Sequence, residues 1–281
     1  MQEWLNVALE WIDNPIIQVA ALSFFAALLV AKLLSSMWLS GLAIIAAFCA
    51  TVYMIADFDF DSLTITKKII VAGLVASLVA PLFDLLSSHN RLARYLIAIA
   101  CVGAVVWVFW PVLERKDLAD LALYGSGLVV FIACLSVLLD RIAPISIRAS
   151  TAAMGLGASI GVSALLSASA LLGQFGFAIA MAGIAYLLLQ FISNRLLPCG
   201  RTFTIPLTVL CGLIAPAAMI LAKLPWYCLP LFLLIPLAAQ TPLSGNLSIR
   251  LQTLILSVVT IIFSALPVLV ILYESGDLPY L

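Results

Sequence analysis

The chain has 281 residues, of which 65% are hydrophobic and only 9% charged, and its mean hydropathy is +1.25. A soluble domain carries about 25% charged residues, so a water-soluble fold is excluded and lipid must be the solvent for most of this surface. The 13 basic and 13 acidic residues cancel, and no basic patch interleaved with aromatics is present, which argues against nucleic acid as a partner.

The chain opens with MQEWLNVALEWIDNP. Trp4, Leu5, Ala8, Trp11 and Ile12 recur at helical spacing, with Glu3, Asn6, Glu10 and Asp13 between them. This pattern predicts an amphipathic helix over residues 1–14 lying in the membrane interface. The stretch has no Lys or Arg, so it does not read as a signal peptide.

Ten apolar stretches follow, near 15–34, 37–56, 68–88, 92–113, 121–140, 149–172, 174–193, 204–222, 225–241 and 251–273. A helix needs about 20 apolar residues to cross the hydrocarbon core. Every connection is short, so residues 1–281 read as a single integral membrane domain. The expected fold is all-α: a polytopic transmembrane helix bundle of about ten spans with short loops.

Basic residues accumulate in cytoplasmic loops. With the N-terminus outside and ten spans, Lys32, Arg91, Arg94, Arg141, Arg148, Arg195, Arg201 and Arg250 fall inside. Lys67, Lys68, Arg115, Lys116 and Lys223 fall outside, where all the acidic residues except Asp84 and Asp140 also lie. The sorting predicts both termini outside, in a bacterial cytoplasmic membrane. Trp107, Trp110, Tyr124, Trp226 and Tyr273 would mark the outer interface, Trp38 and Tyr95 the inner one. Two triplets repeat, Asn90-Arg91-Leu92 as Asn194-Arg195-Leu196 and Ser146-Ile147-Arg148 as Ser248-Ile249-Arg250. A real duplication would imply parallel four-helix units.

The third span and its flanks read KKIIVAGLVASLVAPLFDLLSSHNRLAR. Asp84 is a carboxylate within an apolar run, three residues after Pro81, which deprives the Ser77 carbonyl of its helical donor. Two readings follow. Asp84 is a proton or cation relay or substrate contact, or it is an interfacial aspartate paired with an arginine, for which Arg91 and Arg94 stand close in sequence. The acidic ADFDFDS segment (Asp57, Asp59, Asp61) begins like a calcium loop but lacks the glycine and the bidentate glutamate, and reads as a solvated loop.

The sixth span carries Gly157 and Gly161 in a GxxxG with several serines, which predicts close helix packing near the bundle centre. Seven prolines between Pro198 and Pro242 either make spans eight and nine candidate broken helices, with Pro216 and Pro236 in their interiors, or mark kinks and helix starts that shape packing. Gln190 stands out as interhelical hydrogen-bond glue. The only histidine, His89, leaves no His-rich metal centre, and six cysteines without CxxC spacing read as small buried hydrophobes. No cofactor motif appears.

The candidate functional positions are therefore Asp84, Arg91, Arg94, Gln190, Pro216 and Pro236. The leading function is a transporter or permease for a small solute or lipid-type substrate. The alternative is a non-catalytic membrane subunit or assembly factor with a membrane-protein partner, and the third is a lipid-modifying enzyme, for which there is little acid-base material. The bilayer itself is the one partner that composition demands. A transporter should show a polar midplane cavity, a subunit a filled bundle with an open small-residue face, and an enzyme convergent ionisable groups at one interface.

Overall fold

A computed structural model describes residues 14–35, 37–55, 64–86, 91–115, 117–243 and 247–275. The expected interfacial helix over 1–14, the acidic loop and His89 lie outside the described residues, apart from Asn14, as does the side chain of Arg91.

The described residues form ten α-helices and one 3₁₀ turn. They are α1 (Pro15–Leu33), the 3₁₀ turn (Trp38–Leu42), α2 (Ala43–Ile55), α3 (Ile65–Leu86), α4 (Arg91–Leu113), α5 (Leu118–Ile142), α6 (Ser146–Leu166), α7 (Ala170–Ser193), α8 (Gly200–Leu221), α9 (Cys228–Ala238) and α10 (Ile249–Ser275). Eight are long and apolar enough to cross a membrane; the stretches Leu39–Ile55 and Cys228–Ala238 are shorter apolar helices. At 1.5 Å per residue, the 11 residues of α9 give about 16 Å, less than the ~30 Å hydrocarbon core.

Local sequence explains several boundaries. Asn14 caps α1 by accepting from Ile16 N, with Pro15 in the first turn. Ser169 caps α7 at Leu172 N, and Asn194 ends it in the left-handed conformation at φ 49°.

Burial sorts the helices into two shells. Across their apolar middle stretches, 83% of α8, 78% of α6 and 61% of α7 are buried, against 22% of α1 and 28% of α5 and α10. The inner helices α6, α7 and α8 therefore contact protein, while α1, α3, α4, α5 and α10 turn a broad face to lipid. Trp107, Trp110, Trp226 and Tyr273 are exposed near helix ends on the Lys68 side, and Tyr95 is exposed on the opposite, Asp84 side. Those are the positions that amphipathic rings occupy in a membrane.

The small-residue expectation is met at the α6–α7 contact. A Cβ on Gly157 would come within 2.3 Å of Ala180 N, and one on Gly176 within 2.5 Å of Gly161 Cα. A Cβ on Gly183 would lie 2.5 Å from Met154 N. The two backbones touch along most of their length, and dispersion between them replaces the hydrophobic drive that lipid removes.

Gln190 bridges the same two helices. It is fully buried on α7, accepts from Ser146 Oγ at 2.7 Å and donates to Ser150 Oγ at 3.2 Å, both on α6. Gln190→Leu leaves both serine hydroxyls without their α7 partner. The expected loss is about 1–2 kcal/mol, at the upper range of such interhelical bonds. Thermal unfolding in mild detergent checks this, and an unchanged midpoint would remove Gln190 from the helix-pairing elements.

Of the two readings of the prolines, the broken helix fails for span eight: α8 is a continuous helix through both Pro206 and Pro216. A proline removes one amide donor, and close burial on all sides holds the remaining ladder in place, so the helix continues across the loss rather than opening.

Candidate functional site: a charged cluster and an apolar cleft

Alternating helix directions bring the ends of α3, α5 and α7 to one membrane face, together with the beginnings of α4, α6 and α8. Most of the long-range polar contacts gather there. Asp84 lies in the last turn of α3 and reaches the first turn of α8. Its Oδ1 accepts from Arg201 N at 2.8 Å, and its Oδ2 from Thr202 N at 2.7 Å and Thr202 Oγ1 at 2.5 Å.

The reason lies in how α8 begins. Its N-cap residue is Cys199, which makes no side-chain cap. The first amides of a helix have no internal acceptor, and the positive end of the helix dipole favours a carboxylate. Asp84, from another helix, supplies the acceptor that residue 199 lacks. Gly200 makes the approach feasible. It has φ +65°, and a Cβ there would lie 2.7 Å from Asp84 Oδ2.

Asp140, on α5, forms the second half of the cluster. Its Oδ2 accepts from Arg94 Nε of α4 at 2.7 Å and its Oδ1 from Arg201 Nε of α8 at 2.9 Å. The Asp140 side chain is 5% exposed, that of Arg201 12% and that of Arg94 38%. Arg201 thus joins the two carboxylates, bonding Asp84 through its amide and Asp140 through its guanidinium. Four helices, α3, α4, α5 and α8, are tied together by these groups.

The loop before α8 is held from the other side. Ser40 Oγ and the hydroxyl of buried Tyr186 lie 2.6 Å apart, and both hydrogen-bond to the Pro198 carbonyl. The Tyr186 ring packs on Phe203 with centroids 5.1 Å apart. Gly41 of the 3₁₀ turn sits so close that a Cβ would come within 2.6 Å of Phe203 N.

Arg94 is brought into the cluster, but its partner is Asp140. Asp84 bonds backbone amides and a hydroxyl. Pro216 lies 15 residues beyond Arg201 along α8, about 22 Å away, and Pro236 lies on α9, so neither joins the cluster. Asp140 and Arg201 were not singled out. The available signal was a helix that starts Cys-Gly-Arg-Thr with no local capping residue, alongside an unpaired carboxylate at the end of another span.

Asp84→Asn keeps the shape, exchanges one acceptor oxygen for a donor and removes the charge at the helix dipole. The expected loss is about 1–2 kcal/mol of stability. Asp84→Glu should be no better, because a longer side chain must crowd Gly200. Thermal melts of both variants test the capping role. A full-stability Asp84→Asn protein would contradict it.

Between α3 and α4 lies a lateral cleft of about 270 Å³. Val75, Ala76 and Val79 of α3 face Ala100, Cys101 and Ala104 of α4, and Ile205 and Val209 of α8 form the floor. Small side chains at mid-helix on α4 leave the space. Phe83 and Ile97 line it toward the charged cluster, and Val71 and Trp107 toward the opposite face. From Val71 to Phe83 the cleft runs about 18 Å along α3. Lys68 Nζ stands 5.4 Å above the Trp107 ring at the far end, within cation–π range. A second, smaller apolar cleft of about 190 Å³ lies on the other flank of α4, against α5.

Chemically, the cluster can hold a helix start and a bundle corner rigidly, and the cleft can receive an apolar chain from the side. No protein-family model matches the chain, and no curated protein matches it in sequence.

Proposed function

We propose that this integral membrane protein is a permease for a lipid-type substrate, which enters sideways from the bilayer along α3 and α4. The observation that carries the reading is the apolar α3–α4 cleft with a cation near one end, Lys68 beside Trp107. An acyl chain matches the lining, and the Lys68 ammonium suits a polar headgroup at that membrane surface. A small polar solute is the weaker choice, because it needs convergent polar groups, and the two clefts are lined mainly by apolar side chains. An enzyme is weaker still. The acidic and basic groups that converge among the described residues are engaged with one another or with backbone.

Reconstitution tests this. Vesicles containing the purified protein should move a fluorescent phospholipid between leaflets faster than protein-free vesicles, as read by chemical quenching of the outer leaflet. Ala100→Leu with Ala104→Leu, which fills the cleft, should remove the acceleration. Equal rates with and without protein would overturn the reading.

A second reading, a membrane subunit, rests on a different face. An added Cβ at Gly103, Gly125 or Gly127 would meet no heavy atom within 4 Å, so another helix could approach α4 and α5 closely there. A stoichiometric protein partner retained in native mass spectrometry, and lost in Gly125→Leu, would favour it.

A further inference from the structure

The two ends of the α3–α4 cleft differ in a way that names a headgroup. Arg94 is engaged by Asp140 through a 2.7 Å bond. Lys68 is held over Trp107, and among the described residues no carboxylate pairs with it. Lys67 is its chain neighbour. The ammonium therefore sits at the mouth of an apolar channel, in the first turn of α3, at the depth where an exposed Trp107 places the headgroup layer. The channel below it runs about 18 Å, close to the ~15 Å depth of one leaflet.

We infer that this end of the cleft binds an anionic phospholipid, one acyl chain lying between α3 and α4 and its phosphate meeting Lys68. The inference names the substrate class of the permease reading and rests on it for the movement of that lipid, though binding itself needs only the site. Charge complementarity selects the occupant. A zwitterionic lipid brings its own cation to the phosphate and gains less from Lys68, whereas an anionic one gains a full attraction in the low-dielectric interface. The cation–π contact keeps the lysine at the mouth instead of letting it extend into water. The alanines of α4 supply the room, and Val209 of α8 the floor.

Trp107 makes the test direct, because it lines the cleft. Vesicles would contain either phosphatidylglycerol or phosphatidylcholine, brominated on the acyl chain, diluted into unlabelled phosphatidylcholine. The Trp107 signal is the difference between the natural protein and Trp107→Phe. Half-maximal quenching should need about fivefold less of the brominated anionic lipid, the ratio given by ~1 kcal/mol for one lysine. Lys68→Gln should bring the two lipids level, and Lys68→Arg should keep the preference. Ala100→Leu with Ala104→Leu should weaken quenching by both. Equal quenching by both lipids in the natural protein would mean ordinary boundary lipid and overturn the site. So would a preference untouched by Lys68→Gln, which would move the attraction to other cations. The two proposals separate cleanly. Translocation without headgroup preference leaves the permease reading and removes this site, whereas preference without translocation does the reverse.

Discussion

Asp140→Asn should be among the most damaging single substitutions in the described bundle. It removes the carboxylate that bonds both guanidinium groups, Arg94 at 2.7 Å and Arg201 at 2.9 Å. Breaking a buried pair on one side costs about 3–5 kcal/mol, because the partner charge stays desolvated. Arg94 can turn toward water, since its side chain is 38% exposed, but Arg201 is 12% exposed and has less freedom. The damage should therefore be relieved by removing Arg201. The double variant Asp140→Asn with Arg201→Met should melt above Asp140→Asn alone, although Arg201→Met alone is itself destabilising. The cycle of four proteins gives the coupling energy directly. Additive effects, with no coupling between positions 140 and 201, would show that the cluster is not an energetic unit. Because Arg201 also donates its amide to Asp84, loss of Asp140 should loosen the start of α8. Faster hydrogen exchange at the first turn of α8 is the expected local signature.

Gly157→Val should be comparably severe for a different reason. The first added carbon would stand 2.3 Å from Ala180 N and 2.7 Å from Gly176 O. Both are backbone atoms of a continuous helix and cannot rotate away as a side chain can. The α6–α7 pair must separate, and every contact along it weakens together. A loss of at least ~3 kcal/mol is expected, at or beyond the upper end for overpacking. Gly103→Ala is the control. No heavy atom lies within 4 Å of its Cβ, so better helix propensity should leave it neutral or raise stability by up to ~1 kcal/mol. Comparable losses for both substitutions in detergent unfolding would mean that the α6–α7 approach is looser than the structure has it.

Much of the fold was legible because membrane insertion is written in composition. A run of about 20 apolar residues has few other uses, so eight of the expected stretches reappear as helices long enough to cross. The ninth stretch, 225–241, is as apolar as the others, but its helix is only Cys228–Ala238. Its proline-rich flanks, Pro225 and Pro242, limit regular helix at either end. Gly157 and Gly161 pointed correctly to close packing, since a glycine pair one turn apart has the same meaning on any helix. The prolines of α8 left two readings open, because a missing amide reads in sequence as a break or as a kink, and only the surrounding protein decides whether the helix survives it.

What the sequence by itself determined is the solvent, the helical class, the approximate spans and the close-packing face of α6. Each follows from side-chain type and period along one chain segment. The tertiary structure decided who partners whom. Asp84 and Thr202 are 118 positions apart, and Asp140 and Arg201 are 61 apart. No local pattern encodes such pairs, because a carboxylate accepts equally from a guanidinium, a hydroxyl or a helix amide. Only the alternating passage of the chain through the membrane, which returns the ends of α3 and α5 to the start of α8, selects among them. The cleft between α3 and α4 has the same origin. Alanine at 100 and 104 is unremarkable in α4 alone and becomes a space only where Val75 and Val79 stand opposite.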